Sequence, residues 1–237
     1  MISNGSSILE NTAERPLSES LNQFLDGASS VKLAVGYLFI EGLIPLQASL
    51  SRLDHAYLLI GNVVNRISEE NIRLEQASKP TAAVGNEKDS FAKGFREDRN
   101  RQAALTALNL RQTIDNLPQT AAVDSTLVSL ATLIAEGKLE VRLYTGGRLH
   151  AKVALVEYPE ADVRSPGAAI VGSSNLTLPV DSAAYDANCD LDILLTGEEN
   201  YNSLNAWFET RWDAAQDFRK ELFEELARRW PSEATQS

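Results

Sequence analysis

Two short apolar runs, Val31–Ile40 and Ala56–Ile60, flank a stretch whose leucines recur at helical spacing: Leu43, Leu46, Leu50 and Leu53. The runs are β-branched and aromatic, which suits buried strands, and the stretch between them predicts a helix over Glu41–Leu53. Pro45 falls in its first turn, where a missing N–H is tolerated. Strand, helix and strand in this order form a βαβ unit, which favours a parallel or mixed sheet. Further strands are expected at Leu139–Tyr144, Leu149–Tyr158, Ala168–Gly172 and Leu191–Leu195. The turn Thr145-Gly146-Gly147 and a polar loop, Pro159–Gly167, connect the first three of these. Helices are expected at Pro16–Leu25, Ser68–Ala77, Lys93–Asn116 and Asp124–Gly137, with Gly137 placed to cap the last of them. Glu198–Arg229 also reads as helical, with a break near Asp213–Gln216, and Lys79–Asp89 reads as a loop. Residues 1–16 are a polar, loose lead-in and 231–237 a disordered tail. The reading is therefore one α/β domain over residues 17–230, a mixed β-sheet flanked by helices on both faces.

Composition narrows the class. The chain has 237 residues, and 43% are hydrophobic, enough for a sizeable core and too many for a disordered chain. No window approaches the roughly 18 consecutive apolar residues of a membrane span. The first residues lack a charged segment followed by an apolar one, so no secretory signal is read. A single cysteine, Cys189, excludes an intrachain disulfide and argues against a cysteine-based zinc site, so the cytoplasm is the default location. Acidic residues number 33 against 22 basic ones, a net charge of −11, which argues against a surface that is basic all over.

Two histidines are present, and their surroundings differ. His150 stands two residues before Lys152 in Arg148-Leu149-His150-Ala151-Lys152-Val153. On a strand the two side chains share one face. An imidazole and an ammonium side by side are costly to bury unless an anion joins them. Downstream, Gly172-Ser173-Ser174-Asn175 follows a buried strand and supplies hydroxyl, amide and backbone N–H donors. Placed beside the His/Lys pair, these donors make a pocket for a tetrahedral oxyanion such as phosphate.

The pattern His150-x-Lys152-x4-Glu157, followed by Gly172-Ser173-x-Asn175, resembles the HKD motif of the phospholipase D superfamily. Glu157 stands where that family usually has Asp, and fourteen residues separate it from Gly172 where the family has six. Asn188-Cys189-Asp190 resembles the family's later Asn-x-Glu, so Asp190 can take the acidic role. Phe24-Leu25-Asp26-Gly27-Ala28 leading into Val31–Phe39, the run Gly172–Thr177 and the segment Trp207-Phe208-x3-Trp212 resemble one subgroup in particular. Its members are phospholipase D-like domains at the N-terminus of bacterial Swi/Snf-type helicases.

The resemblance implies a phospholipase D-like fold and a metal-independent phosphodiesterase, a nuclease-like hydrolase acting on nucleic acid, DNA ahead of RNA. No cofactor is implied. His150 would serve as nucleophile or general acid, Lys152 and Asn175 would bind phosphate with Ser173 in support, and Glu157 or Asp190 would orient a histidine. The family mechanism uses two histidines, and this chain carries one such motif. His55, in Leu53-Asp54-His55-Ala56-Tyr57, has no Lys two residues on. A homodimer completing the active site is thus expected, with a helicase motor as a further partner in cis or trans. The alternatives are a nucleic-acid-binding module without turnover that targets a helicase and, behind it, a lipid phosphodiesterase. No apolar anchor or basic amphipathic helix supports the lipid reading or a membrane partner.

Plainer readings stand beside these. Ser173-Ser174 also suits a simple tight turn, Asp190 and Asp192 can punctuate a strand start, and Trp207, Phe208 and Trp212 read as core. The helix from Lys93 to Arg111 carries Lys93, Arg96, Arg99, Arg101 and Arg111 against Glu97 and Asp98, a local charge of +3. It is either a solvated face or a surface that tracks a nucleic-acid backbone, with Arg148 beside the motif as a further phosphate contact. Residues 181–225 hold twelve acids and three bases, so most of the negative charge lies C-terminal to the motif.

Overall fold

A computed structural model describes residues 5–12, 16–61, 87–174 and 190–229, with side chains left out at residue 10 and over 87–98. One eight-stranded sheet runs through the molecule. Its strands are β1 (Gly5–Glu10), β2 (Ser30–Val35), β3 (His55–Gly61), β4 (Leu139–Tyr144), β5 (Val153–Glu157), β6 (Gly167–Gly172), β7 (Leu191–Thr196) and β8 (Gln216–Asp217). They lie in the order β1-β7-β6-β5-β2-β3-β4-β8. β2, β3 and β4 are parallel to one another and every other neighbour pair is antiparallel, which makes the sheet mixed.

Alternation along the central strands sends apolar side chains to both faces, as a sheet covered on two sides requires. On one face Leu33, Leu58, Val141 and Ile170 pack under α1 (Leu17–Leu25), α3 (Glu87–Asp115), α4 (Ala121–Ala135) and α6 (Arg219–Arg228). On the other, Ala34, Leu59, Leu155 and Ala169 pack under α5 (Glu198–Ala214), which contributes Tyr201, Phe208 and Trp212. Phe208 and Trp212 are therefore core, as their spacing suggested, while Trp207 is half-buried against the same cluster. Each fully buried residue of this size contributes about 1.5–3 kcal/mol. None of the described helices is long and apolar enough to cross a membrane.

Several elements differ from the sequence reading. Gly5–Glu10 is not loose: it forms edge strand β1, paired along the whole of β7. The helix expected over Glu41–Leu53 is a 3₁₀ turn, Ile40–Leu46, followed by the short α2, Gln47–Leu50. Pro45, lacking an N–H, and Gly42, a poor helix former, account for the tighter winding. The expected helix break falls at Ala215–Phe218, where β8 hydrogen-bonds to β4. The Pro159–Gly167 loop is anchored by Arg164, which stacks 3.9 Å over Tyr158, forks onto Asp162 and donates to the Asp26 carbonyl. α3 extends back to Glu87, into the segment read as a loop. The helix expected at Ser68–Ala77, the rest of the loop up to 86 and the tail 231–237 lie outside the described residues.

Candidate functional site

The strand expected over Leu149–Tyr158 begins only at Val153. Leu149–Lys152 leave the sheet and cross the carboxyl ends of β2 and β3, and the reason is close packing of backbone. A Cβ on Gly36, the residue after β2, would stand 2.8 Å from the Leu149 carbonyl oxygen and 3.4 Å from the His150 Cα. One on Gly61, the last residue of β3, would stand 2.9 Å from the same oxygen and 2.7 Å from the Gly36 oxygen. Two glycines thus open the gap through which the segment passes. The crossing lies at the carboxyl ends of parallel strands, where open α/β sheets place their ligands.

The crossing brings His150 and Lys152 together without a shared strand face. Lys152 Nζ lies 3.4 Å from His150 Nε2 and 3.5 Å from Nδ1, and donates to the His150 backbone oxygen at 3.2 Å. His150 is exposed and Lys152 half-buried, so the imidazole faces solvent with an ammonium at its side. An anion arriving there meets a cation and a nucleophilic nitrogen at once.

The second half of the motif reaches the same end of the sheet. β6 runs antiparallel to β5, so its last residue, Gly172, lies beside the start of β5, and Gly172 N donates to the Lys152 carbonyl at 3.2 Å. Ser173 is exposed; its hydroxyl donates to Asp190 Oδ1 at 3.0 Å and accepts from Leu191 N at 3.0 Å. The buried Ser174 gives its backbone N–H, at 3.3 Å, and its hydroxyl to the two oxygens of Asp192. Asp192 is 1% exposed, and burial pushes its carboxyl up, partly offset by the Ser174 donors. Asn175, Asn188 and Cys189 lie outside the described residues.

Glu157 and His55 are not brought to the site. Glu157 ends β5, five residues beyond Lys152 and about 16 Å away along an extended chain. Its Oε2 accepts from Ser30 Oγ at 2.8 Å, tying β5 to β2 at the opposite end of the sheet, so the role of orienting His150 does not fit its place. Among the described residues the His150 ring meets Lys152 and no carboxylate. His55 opens β3, whose other end is Gly61, and so lies about 20 Å from the crossing. Lys93 and Arg96 are on α3, and Arg99, Arg101 and Arg148 are exposed. Arg111 belongs to a structural clamp, donating to both oxygens of the buried Glu225 of α6 at 2.9 and 2.7 Å, so its charge is paired within the fold. The sequence reading gave Gly36 and Gly61 no role at the site and ranked Asp192 behind Asp190. An acid inside the apolar run that begins at Leu191 was the available signal.

Comparison with solved structures identifies the architecture. The phospholipase D family member Nuc from Salmonella typhimurium superposes with a TM-score of 0.50 at 13% identity, covering 92% of this chain and 99% of that one. Phosphatidylserine synthase from Haemophilus influenzae Rd KW20 superposes with a TM-score of 0.50 at 12% identity, covering 91% of this chain and 40% of that one. At such identities the shared property is the fold, which is phospholipase D-like. No protein-family model matches the chain, and no curated protein matches it.

Proposed function

We propose that this chain is a metal-independent phosphodiesterase of the nuclease kind, acting on nucleic acid, DNA ahead of RNA, through a phosphohistidine. The observation that carries the reading is the pairing of His150 with Lys152 where Leu149–Lys152 crosses the carboxyl ends of β2 and β3. A ring nitrogen of His150 attacks phosphorus, and the P–N bond forms as the bond to the leaving oxygen breaks. Lys152 and Asn175, supported by Ser173, hold the non-bridging oxygens as charge builds on them. The leaving oxygen takes a proton from a second imidazole, which then draws a proton from water as that water cleaves the P–N bond.

The second imidazole comes from a second copy. His55 is held at the far end of β3, so a two-fold dimer that sets two His150 rings across its axis supplies both groups. The exposed Arg99 and Arg101 of α3 and the resemblance to helicase-associated domains favour a nucleic-acid substrate and a helicase motor in cis or trans.

A second reading, a binding module without turnover, is favoured by one observation: no described carboxylate orients the His150 ring. A single assay separates the two. Plasmid, single-stranded DNA, phosphatidylcholine vesicles and bis(p-nitrophenyl) phosphate are incubated in EDTA with the parent and with His150→Ala. The enzyme reading expects turnover of DNA and the small ester that falls about 10²–10⁴-fold in the variant. Activity that survives His150→Ala overturns it. Binding to DNA without turnover establishes the second reading, and cleavage of the lipid alone replaces the substrate class.

A further inference from the structure

We propose that Asp192 is a positioning residue of this site, holding the turn Gly172–Ser174 against the head of β5 through Ser174. The inference rests on the reading of His150 and Lys152 as a phosphate site. Asp192 occupies a strand position on the face that packs under α1, where β7's neighbour on that face, Leu194, is apolar. An apolar side chain would be the inexpensive choice there, because a carboxylate that is 1% exposed has lost its water. What replaces the water is specific: both oxygens are taken by one residue, Ser174, through its N–H and its hydroxyl.

Gly172 completes the lock. A Cβ there would stand 2.5 Å from the Leu191 oxygen and 2.6 Å from the Asp192 Cα, so only glycine lets β7 approach this closely. The same Gly172 donates to the Lys152 backbone at 3.2 Å. A cavity of about 20 Å³ is lined by Lys152, Ser174 and Asp192 together with Leu21 and Val35. The path from Asp192 to the site is therefore two bonds long: Asp192 to the Ser174 turn, and the turn to Lys152.

The test compares Asp192→Ala, Asp192→Asn and Ser174→Ala with the parent chain and His150→Ala. Hydrogen exchange of the peptide covering 172–174, binding of orthovanadate, and kcat and KM for bis(p-nitrophenyl) phosphate are measured, with a thermal melt to confirm folding. Asp192→Ala should speed exchange over 172–174 and lower kcat by about tenfold or more, with KM moving less than about threefold. Asp192→Asn, which keeps a carbonyl acceptor, should restore most of kcat. A folded Asp192→Ala with exchange and kcat within about twofold of the parent overturns the proposal. So does an Asp192→Asn no better than Asp192→Ala. If Asp192→Ala does not fold, Ser174→Ala decides by the same limits. If the parent matches His150→Ala in both turnover and vanadate binding, the site reading itself has failed and the positioning role falls with it.

Discussion

Gly36 lies under the Leu149 carbonyl, so close that a single added carbon would come within 2.8 Å of that oxygen. The relationship predicts that Gly36→Ala lifts the segment carrying His150. Turnover should fall about tenfold or more, since a shift of an ångström in a reacting group is felt strongly. Stability should fall by about 1–3 kcal/mol, the usual cost of crowding a packed interior. Urea denaturation and bis(p-nitrophenyl) phosphate kinetics check the two halves separately.

Glu157 should behave as a structural residue. Glu157→Ala takes the carboxylate acceptor from the Ser30 hydroxyl at the start of β2 and should cost about 1–3 kcal/mol. Its kcat under saturating substrate should stay within about threefold of the parent. A loss comparable to that of His150→Ala would return Glu157 to the catalytic machinery.

The clamp between α3 and α6 gives the fold an acid-sensitive joint. The Arg111 guanidinium bonded to Glu225, with burial opposing it, holds that carboxyl below its ordinary value of about 4.3. A lowered carboxyl stabilises the fold above the unfolded value, and that contribution is lost as pH falls through the folded one. Glu225→Gln should therefore melt about 2–4 °C below the parent at pH 7, with the gap closing below pH 4. A gap that stays constant from pH 7 to pH 3 would contradict the clamp.

If α3 tracks a nucleic-acid backbone, Arg99→Glu with Arg101→Glu should weaken binding to DNA of any sequence. The slope of log K against log salt should flatten by about 1.8, which is about 0.9 for each duplex phosphate that an arginine no longer neutralises. An unchanged slope assigns both arginines to a solvated face.

Much of the sheet was legible in the sequence because its strands are local. Leu139–Tyr144 has the bounds its alternation gives, and the βαβ pairing of β2 with β3 follows from two apolar runs joined by a helical stretch. β1 was not legible: Gly5-Ser6-Ser7-Ile8 is polar for a strand and is one only because β7 offers it a partner. The pairing of His150 with Lys152 was read correctly for the wrong reason. Alternation along one strand was expected to align them, whereas two distant glycines let their segment leave the sheet. The family resemblance drew Glu157 into the motif, although the strand expected over Leu149–Tyr158 already set it a strand's length from His150. The Ser174–Asp192 lock joins residues 18 positions apart across two antiparallel strands, beyond the reach of any local pattern.

The pairing of β1 with β7 has a consequence for the order of assembly. Gly5 and Thr196 are 191 positions apart, so β1 has no partner until β7, the seventh strand in chain order, has been made. Contacts this distant in sequence form late and slowly. β7 is also the strand that carries Asp192 and begins beside Ser173. β1, the first strand of this sheet in chain order, thus waits for the strand that completes the His150 end of the sheet.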